Sequence, residues 1–348
     1  MRNAQVAPLW ESVPPKTYGG TERVVSFLTE ELVRKGHQVS LFASGDSQTA
    51  AELLPVVPKA LRLNDGPRDH TASHVMMVED VRRRAADFDV IHFHIDYLQF
   101  LASFRNTPHL TTLHGRLDFP ELPVLYRRFA DRPIVSISDA QRAPLPEANW
   151  VGTVHHGLPL DRFKFHPEPG RYLAFLGRIS REKRADLAIA IARRLGLPLK
   201  IAAKLDAQDR DYYGSVVNEM KGDPLVEFVG EINDGAKDQF LGGALALLFP
   251  IDWPEPFGLV MIEALACGTP VVAFRRGSVP EILQDRVTGF IVDDVDGAAA
   301  ATHNIHSIDR RACRQYFEAH FAVERMAADY LNIYEALRGV QPARKVSG

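Results

Sequence analysis

At 348 residues the chain is longer than a single hydrophobic core usually serves, so two α/β domains are the expected organisation. A composition of 46% hydrophobic and 24% charged residues, with a formal net charge of -3, belongs to an ordinary soluble protein and excludes a basic nucleic-acid binder, so an anionic ligand must be met by a local site. The two cysteines, Cys267 and Cys313, lie in helix-like stretches and suggest neither a disulfide framework nor a thiolate metal site; with no apolar run long enough for a bilayer or a signal peptide, a cytoplasmic location is expected.

In chain order, a first strand is expected at residues 6–9, followed by a loop rich in proline and glycine at 12–20 with Thr21 as helix N-cap. Val24, Leu28 and Leu32 then recur every four residues with Phe27 on the same face, and Gly36 stops that helix. A strand at 39–42 completes a βαβ unit and implies a parallel sheet. Residues 54–70 carry three prolines and no clear period; they read as surface loop and receive no element. Further strands are expected at 90–93, 110–113, 134–137 and 153–155.

Residues 161–170, ending His166-Pro167-Glu168-Pro169-Gly170, read as a hinge. Beyond it, mostly continuous apolar runs at 172–176, 199–203, 226–229, 245–249, 271–274 and 290–292 suit buried parallel strands, with helices at 184–195 and 258–267. The segment 310–337 is expected to be helical, with Tyr316, Phe317, Phe321, Tyr330 and Tyr334 on its apolar side, and to pack across both domains. The resulting division is 1–165 for a first domain, 166–321 for a second, and a C-terminal helix at 322–348 returning to the first.

Glu255 and Glu263 lie eight residues apart, one in the loop after a strand and the other two turns into the next helix, so both can face the crevice where open α/β sheets bind ligands. The amides of Phe257, Gly258 and Leu259 point out of that helix N-terminus, where a phosphate is welcome. One carboxylate can accept the two hydroxyls of a ribose and the other those of a sugar; a helix with an acidic first turn is an equally good reading of these residues alone. Gly177-Arg178 and Lys183 stand at the carboxyl end of the second domain's first strand, and cations at a helix start are disfavoured unless an anion is present. Gly19-Gly20 permit close backbone approach, although a turn requiring glycine is the commoner cause, and the G-x-G-x-x-G spacing is absent. His92 and His94 alternate on a strand without acidic or cysteine partners at metal-ligand spacing, so no metal site is expected; His114 is placed to donate a hydrogen bond to a sugar, with a satisfied structural histidine as the alternative.

Together these features resemble the retaining GT-B glycosyltransferases of family 4, the glycosyl transferases group 1, over almost the whole chain. Glu255-Pro256-Phe257-Gly258-Leu259, continuing through Glu263-Ala264-Leu265-Ala266-Cys267-Gly268-Thr269-Pro270, is similar to the family's E-x7-E signature. Arg178 and Lys183 match its paired phosphate-binding cations, Gly19-Gly20 its N-terminal glycine loop, His114 its first-domain histidine, and residues 277–281 the loop after the next strand. Arg184 departs from the pattern where glycine is usual, His155-His156 replace proline-asparagine, and Asn3 is polar where an apolar residue usually begins the first strand.

The resemblance implies an α/β GT-B architecture: two Rossmann-like doubly wound domains facing a central cleft. It further implies retaining, metal-independent transfer of a hexose from a nucleoside-diphosphate sugar, a UDP-sugar first and a GDP-sugar next, to a hydroxyl on a small-molecule, glycan or lipid-linked acceptor. Arg178 and Lys183 would bind the diphosphate, Glu263 the ribose and Glu255 the sugar, with Gly19, Gly20, Phe257, Gly258 and Leu259 completing the phosphate cradle and His114 beside the sugar. The departing phosphate would help take the acceptor proton, and no cofactor beyond the co-substrate is called for. No nucleic-acid partner is expected, and the basic runs at 82–84 and 127–128 read as solvated helix faces rather than a membrane anchor. The alternatives are an epimerase, for which the glycine fingerprint and a Tyr-x-x-x-Lys pair are missing, a phosphorylase-like enzyme, or an inactive regulatory relative.

Overall fold

The computed structural model describes residues 1–16, 19–63, 69–104, 106–205 and 209–339. The chain divides into two compact units: residues 1–137, 142–157 and everything described from Val323 onward form the first, and residues 138–141 and 158–322 the second.

In the first unit seven strands run parallel in the order β3-β2-β1-β4-β5-β6-β7. They are β1 (Arg2–Val6), β2 (Gln38–Ser44), β3 (Glu52–Val57), β4 (Val90–Phe93), β5 (His109–Thr112), β6 (Ile134–Ser136) and β7 (Trp150–Thr153). Six strands of the second unit are also parallel, in the order β10-β9-β8-β11-β12-β13. These are β8 (Leu173–Arg178), β9 (Leu199–Lys204), β10 (Val226–Gly230), β11 (Ala246–Phe249), β12 (Val271–Phe274) and β13 (Gly289–Val292). The strand order reverses beside β1 in one sheet and beside β8 in the other. At such a switch point the neighbouring connections leave in opposite directions and open a crevice at the strands' carboxyl ends.

The first strand lies four residues earlier than its apolar run suggested. Asn3 and Gln5 are fully buried, and Gln5 Nε2 donates to the Tyr334 hydroxyl at 3.2 Å. Tyr334 belongs to α11 (Val323–Gly339), so polar strand positions are satisfied from the far end of the chain. Helix α1 (Gly20–Arg34) begins one residue before Thr21; Gly19 is its N-cap, and no side chain caps it. Glycine is required there by close approach, since a Cβ on Gly19 would fall 2.8 Å from Pro15 Cβ. Gly36, at φ 84°, provides the left-handed turn that ends the helix.

Strand β3 occupies part of the stretch read as loop. It is an edge strand, where Pro55 removes no needed ladder bond. Helix α2 (His70–Arg83) follows, capped by Asp69 accepting from the Thr71 and Ala72 amides at 3.0 and 3.1 Å, while residues 64–68 of that stretch lie outside the described residues. The terminal segment is two helices rather than one. It breaks at Phe321, whose carbonyl accepts from the Leu158 amide at 2.8 Å, so α10 (Arg310–His320) stays in the second unit and α11 joins the first.

Candidate functional site

In the second unit the loops after β8, β11 and β12 converge. Asp252 N–H donates to the Glu182 carbonyl at 2.9 Å, the Lys183 ammonium is bound to Glu255 Oε2, and Arg184 reaches Asp252 at 3.1 Å, so three bonds tie the loop after β8 to the loop after β11 across the switch point. Arg178, the last residue of β8, holds Glu182 at 2.8 Å and Asp209 at 3.5 Å. Glu255 is buried; Trp253 Nε1–H donates to it at 2.8 Å, and the Lys183 ammonium stands 5.2 Å from the Trp253 ring centroid and 5.5 Å from that of Phe249.

The third loop explains its glycine. At Gly277, φ 51°, a Cβ would lie 2.4 Å from both the amide nitrogen and the carbonyl oxygen of Glu255, while Ser278 N–H and Oγ–H donate to Glu255 O and Phe257 O, each at 2.9 Å. Glu255 is thereby fixed by backbone as well as by charge. Helix α7 (Leu259–Ala266) then starts from left-handed Gly258, φ 78°, so the amides of Gly258 and Leu259 stand at the positive end of its dipole.

Arg184 occupies a glycine-like conformation, φ 54° and ψ 55°, and its guanidinium forks onto Asp186 at 2.8 and 3.0 Å as well as reaching Asp252. The carboxylates beside it push the guanidinium further above its ordinary range and hold Asp186 low. The additional cation at this end is therefore neutralised in place, and these ion pairs offset the ~1–2 kcal/mol that a left-handed non-glycine residue costs. Glu263, one turn into α7, is buried with its Oε1 held by Lys237 at 2.8 Å. Lys237 comes from α6 (Asp234–Gly242), so its meeting with Glu263 is a tertiary event without a motif.

In the first unit Gly19, Gly20 and His114 line one cavity of about 550 Å³ at the carboxyl ends of β1 and β4, the switch point of that sheet. Trp10, Glu11, Glu22, Arg62, His74, His94, Asp96 and Tyr97 share its wall. Beneath it lies a layer of histidines. His92 is hydrogen bonded to the Tyr334 hydroxyl and to Thr112 Oγ1, both at 2.7 Å; His94 bonds His114 at 2.9 Å and Gln5 Oε1 at 3.0 Å. His156 stacks on His114 with centroids 5.4 Å apart, which gives the His155-His156 departure a structural reason. Burial holds His92, His94 and His156 far below the ordinary imidazole range and pushes His114 down to about 3, so all four are neutral at physiological pH.

Sequence reasoning passed over Glu22 and Asp96. Burial, with the Glu11 charge adding to it, raises the Glu22 carboxyl to about 7. Asp96 sits at φ 58° with its carbonyl held by Gln99 Nε2–H at 2.9 Å; its surface is open to the cavity, yet the surrounding protein atoms still raise its pKa. The alternation His92, His94, Asp96 at a strand end was the available signal for Asp96, and the position just after the glycine pair that for Glu22. Among the described residues no group of three or more His, Cys, Asp or Glu is placed to hold a metal ion, and no helix is long and apolar enough to cross a membrane.

Two all-parallel Rossmann-order halves, each with its polar side chains gathered where the strand order reverses, define the α/β GT-B class of glycosyltransferases. The profile of the glycosyl transferases group 1 matches residues 160–316, and that of glycosyltransferase family 4 matches residues 18–143. The chain belongs to this family and is a glycosyltransferase. It is 28% identical to the phosphatidyl-myo-inositol mannosyltransferase of Mycolicibacterium smegmatis, over 100% of this chain and 97% of that protein. The D-inositol 3-phosphate glycosyltransferase of the same organism is 26% identical over 80% and 76% of the two chains. Among solved structures, a glycosyltransferase involved in avilamycin A biosynthesis shares the fold with a TM-score of 0.76 at 22% identity, covering 98% of each chain.

Proposed function

We propose that the chain transfers a hexosyl group, with retention of anomeric configuration and without a divalent metal, from a nucleoside-diphosphate sugar to a hydroxyl acceptor in the cytoplasm. The observation that carries the donor reading is the stitching of the loops after β8 and β11 by Lys183–Glu255 and by Asp252 onto Glu182, with Arg178 at the strand end. Paired cations of this kind wait in a compensated state and exchange a carboxylate for a diphosphate when the donor arrives, so the charge that develops on the leaving group meets preorganised positive groups. Arg178 and Lys183 take the diphosphate with the amides at the start of α7, Glu263 the ribose, and Glu255 the sugar hydroxyls it reaches once Lys183 turns to phosphate. Gly19, Gly20 and His114 act from the first unit, His114 as a neutral hydrogen-bond partner. Retention and metal independence rest on the family resemblance, and the mannosyltransferase names of the relatives put mannose first among the sugars to try.

The test is a thermal-shift panel of UDP, GDP, ADP, their hexose conjugates and NAD, with and without chelator, because a ligand of the native state raises the midpoint. One nucleoside diphosphate acting in the presence of chelator is the expected outcome, a UDP compound first and a GDP compound next. A response to NAD alone, or one abolished by chelator, overturns the reading. Anomeric coupling in the proton NMR spectrum of the first-formed product decides retention.

A further inference from the structure

His92, His94 and His114 are neutral, so each ring has one nitrogen that donates a hydrogen bond and one that accepts. Their partners fix which is which. Gln5 Nε2 donates to the Tyr334 hydroxyl at 3.2 Å and to Asn3 Oδ1 at 3.4 Å, which leaves Gln5 Oε1 for His94 Nε2 at 3.0 Å. An amide oxygen only accepts, so His94 carries its proton on Nε2 and a lone pair on Nδ1. His114 Nε2 faces that lone pair at 2.9 Å and has to donate to it, so Nδ1 of His114 is a lone pair as well. His114 lines the first unit's cavity, and its Nδ1, shielded from bulk water, makes no hydrogen bond to the described protein.

On the far side of Gln5 the sense continues. Having accepted from Gln5, the Tyr334 hydroxyl donates to His92 Nδ1 at 2.7 Å, and His92 Nε2–H donates to Thr112 Oγ1 at 2.7 Å. The hydrogen bonds that lead from His114 to α11 therefore all point one way, and turning one round requires turning its neighbours. From this chain we infer that Gln5 and His94 are positioning residues that hold His114 as a hydrogen-bond acceptor, so that a sugar beside it has to offer a hydroxyl hydrogen. That sense is the reverse of the one the sequence suggested, in which His114 donates to the sugar. The requirement on the sugar rests on the donor reading, whereas the tautomer of His114 is a property of the ligand-free protein.

The test is a long-range proton–nitrogen NMR correlation spectrum of the full chain carrying isotope-labelled histidine, which separates protonated from unprotonated ring nitrogens. The His114 signals are identified by their loss in His114→Phe. In the ligand-free parent, His114 is expected to carry its proton on Nε2 in about tenfold excess over Nδ1 or more, because the reversed form forfeits a hydrogen bond. Gln5→Met removes the oxygen that orders the chain and should bring the two forms of His114 within about threefold of each other; His94→Leu should do the same. With the sugar donor, Gln5→Met should lower kcat/KM about twofold or more, while the thermal shift caused by the free nucleoside diphosphate stays as in the parent. A proton on Nδ1 of His114 in the parent, a doubly protonated ring, or the parental excess persisting in either variant overturns the inference. Mixed tautomers with parental kcat/KM overturn the requirement on the sugar. No thermal shift with any nucleoside diphosphate, in a parent showing the expected tautomers, would instead strike the donor reading and leave the control of His114 by Gln5 and His94 standing.

Discussion

At the switch point of the six-stranded sheet the cations come paired, Arg178 with Glu182, Lys183 with Glu255, Arg184 with Asp186 and Asp252, whereas at that of the seven-stranded sheet the described residues include buried neutral imidazoles and one guanidinium, Arg62, paired with Glu11. The backbone topology of the two crevices is nearly the same. What differs is the set of side chains placed just beyond the strand ends, so the fold decides where a ligand sits and those few residues decide its charge.

The sharpest way to break the contrast is Lys183→Met. It leaves Glu255 buried without its counter-ion, and equilibrium unfolding should show a loss of about 3–5 kcal/mol in addition to the loss of activity. Lys183→Met with Glu255→Gln should recover much of the stability and none of the transfer. Arg178→Ala is more exposed and chiefly chemical: kcat/KM for the donor should fall about 10²-fold or more with an unchanged circular dichroism spectrum, and near-parental turnover would refute its role.

A pH series sharpens the contrast from the other side. The four buried imidazoles have native pKa values below the unfolded value of 6.5, so their contribution is present above that pH and is lost on acidification, at about 1.4 kcal/mol per imidazole per pH unit. Glu22 acts in the opposite sense. Its native value near 7 exceeds the unfolded 4.5, so its contribution is complete below 4.5 and is lost progressively between 4.5 and 7, a swing of about 3 kcal/mol. Four imidazoles outweigh one carboxyl on the acid side, so the thermal midpoint should fall below pH 6.5, and Glu22→Gln should raise the midpoint relative to the parent by an amount that grows as pH rises from 4.5 to 7 and is complete above 7. The smallest effect is expected of Lys237→Met, which removes the partner that orients Glu263 at 2.8 Å. Nucleoside-diphosphate affinity should fall about tenfold by calorimetry, while the contribution of Glu255 to sugar transfer persists.

Most of the second unit was legible because its buried parallel strands are continuous apolar runs, and the span from Glu255 to Glu263 falls, as its spacing implied, in a loop after a strand and in the helix that follows. The first unit was harder to read. Its opening strand carries Asn3 and Gln5 toward partners on α11, so the apolar signal moved downstream, and an edge strand containing Pro55 gave no alternation to detect.

By itself the sequence determined the family, the two-part parallel architecture and the identity of the charged residues after the strands, since those depend on local patterns and short spacings. Only the tertiary structure decided which charges neutralise one another. Lys183 lies 72 residues from Glu255 and Lys237 lies 26 from Glu263, and the neutral histidine layer draws on strands, the segment after β7 and the last helix. Such pairings depend on burial and approach across the fold, which no local period encodes.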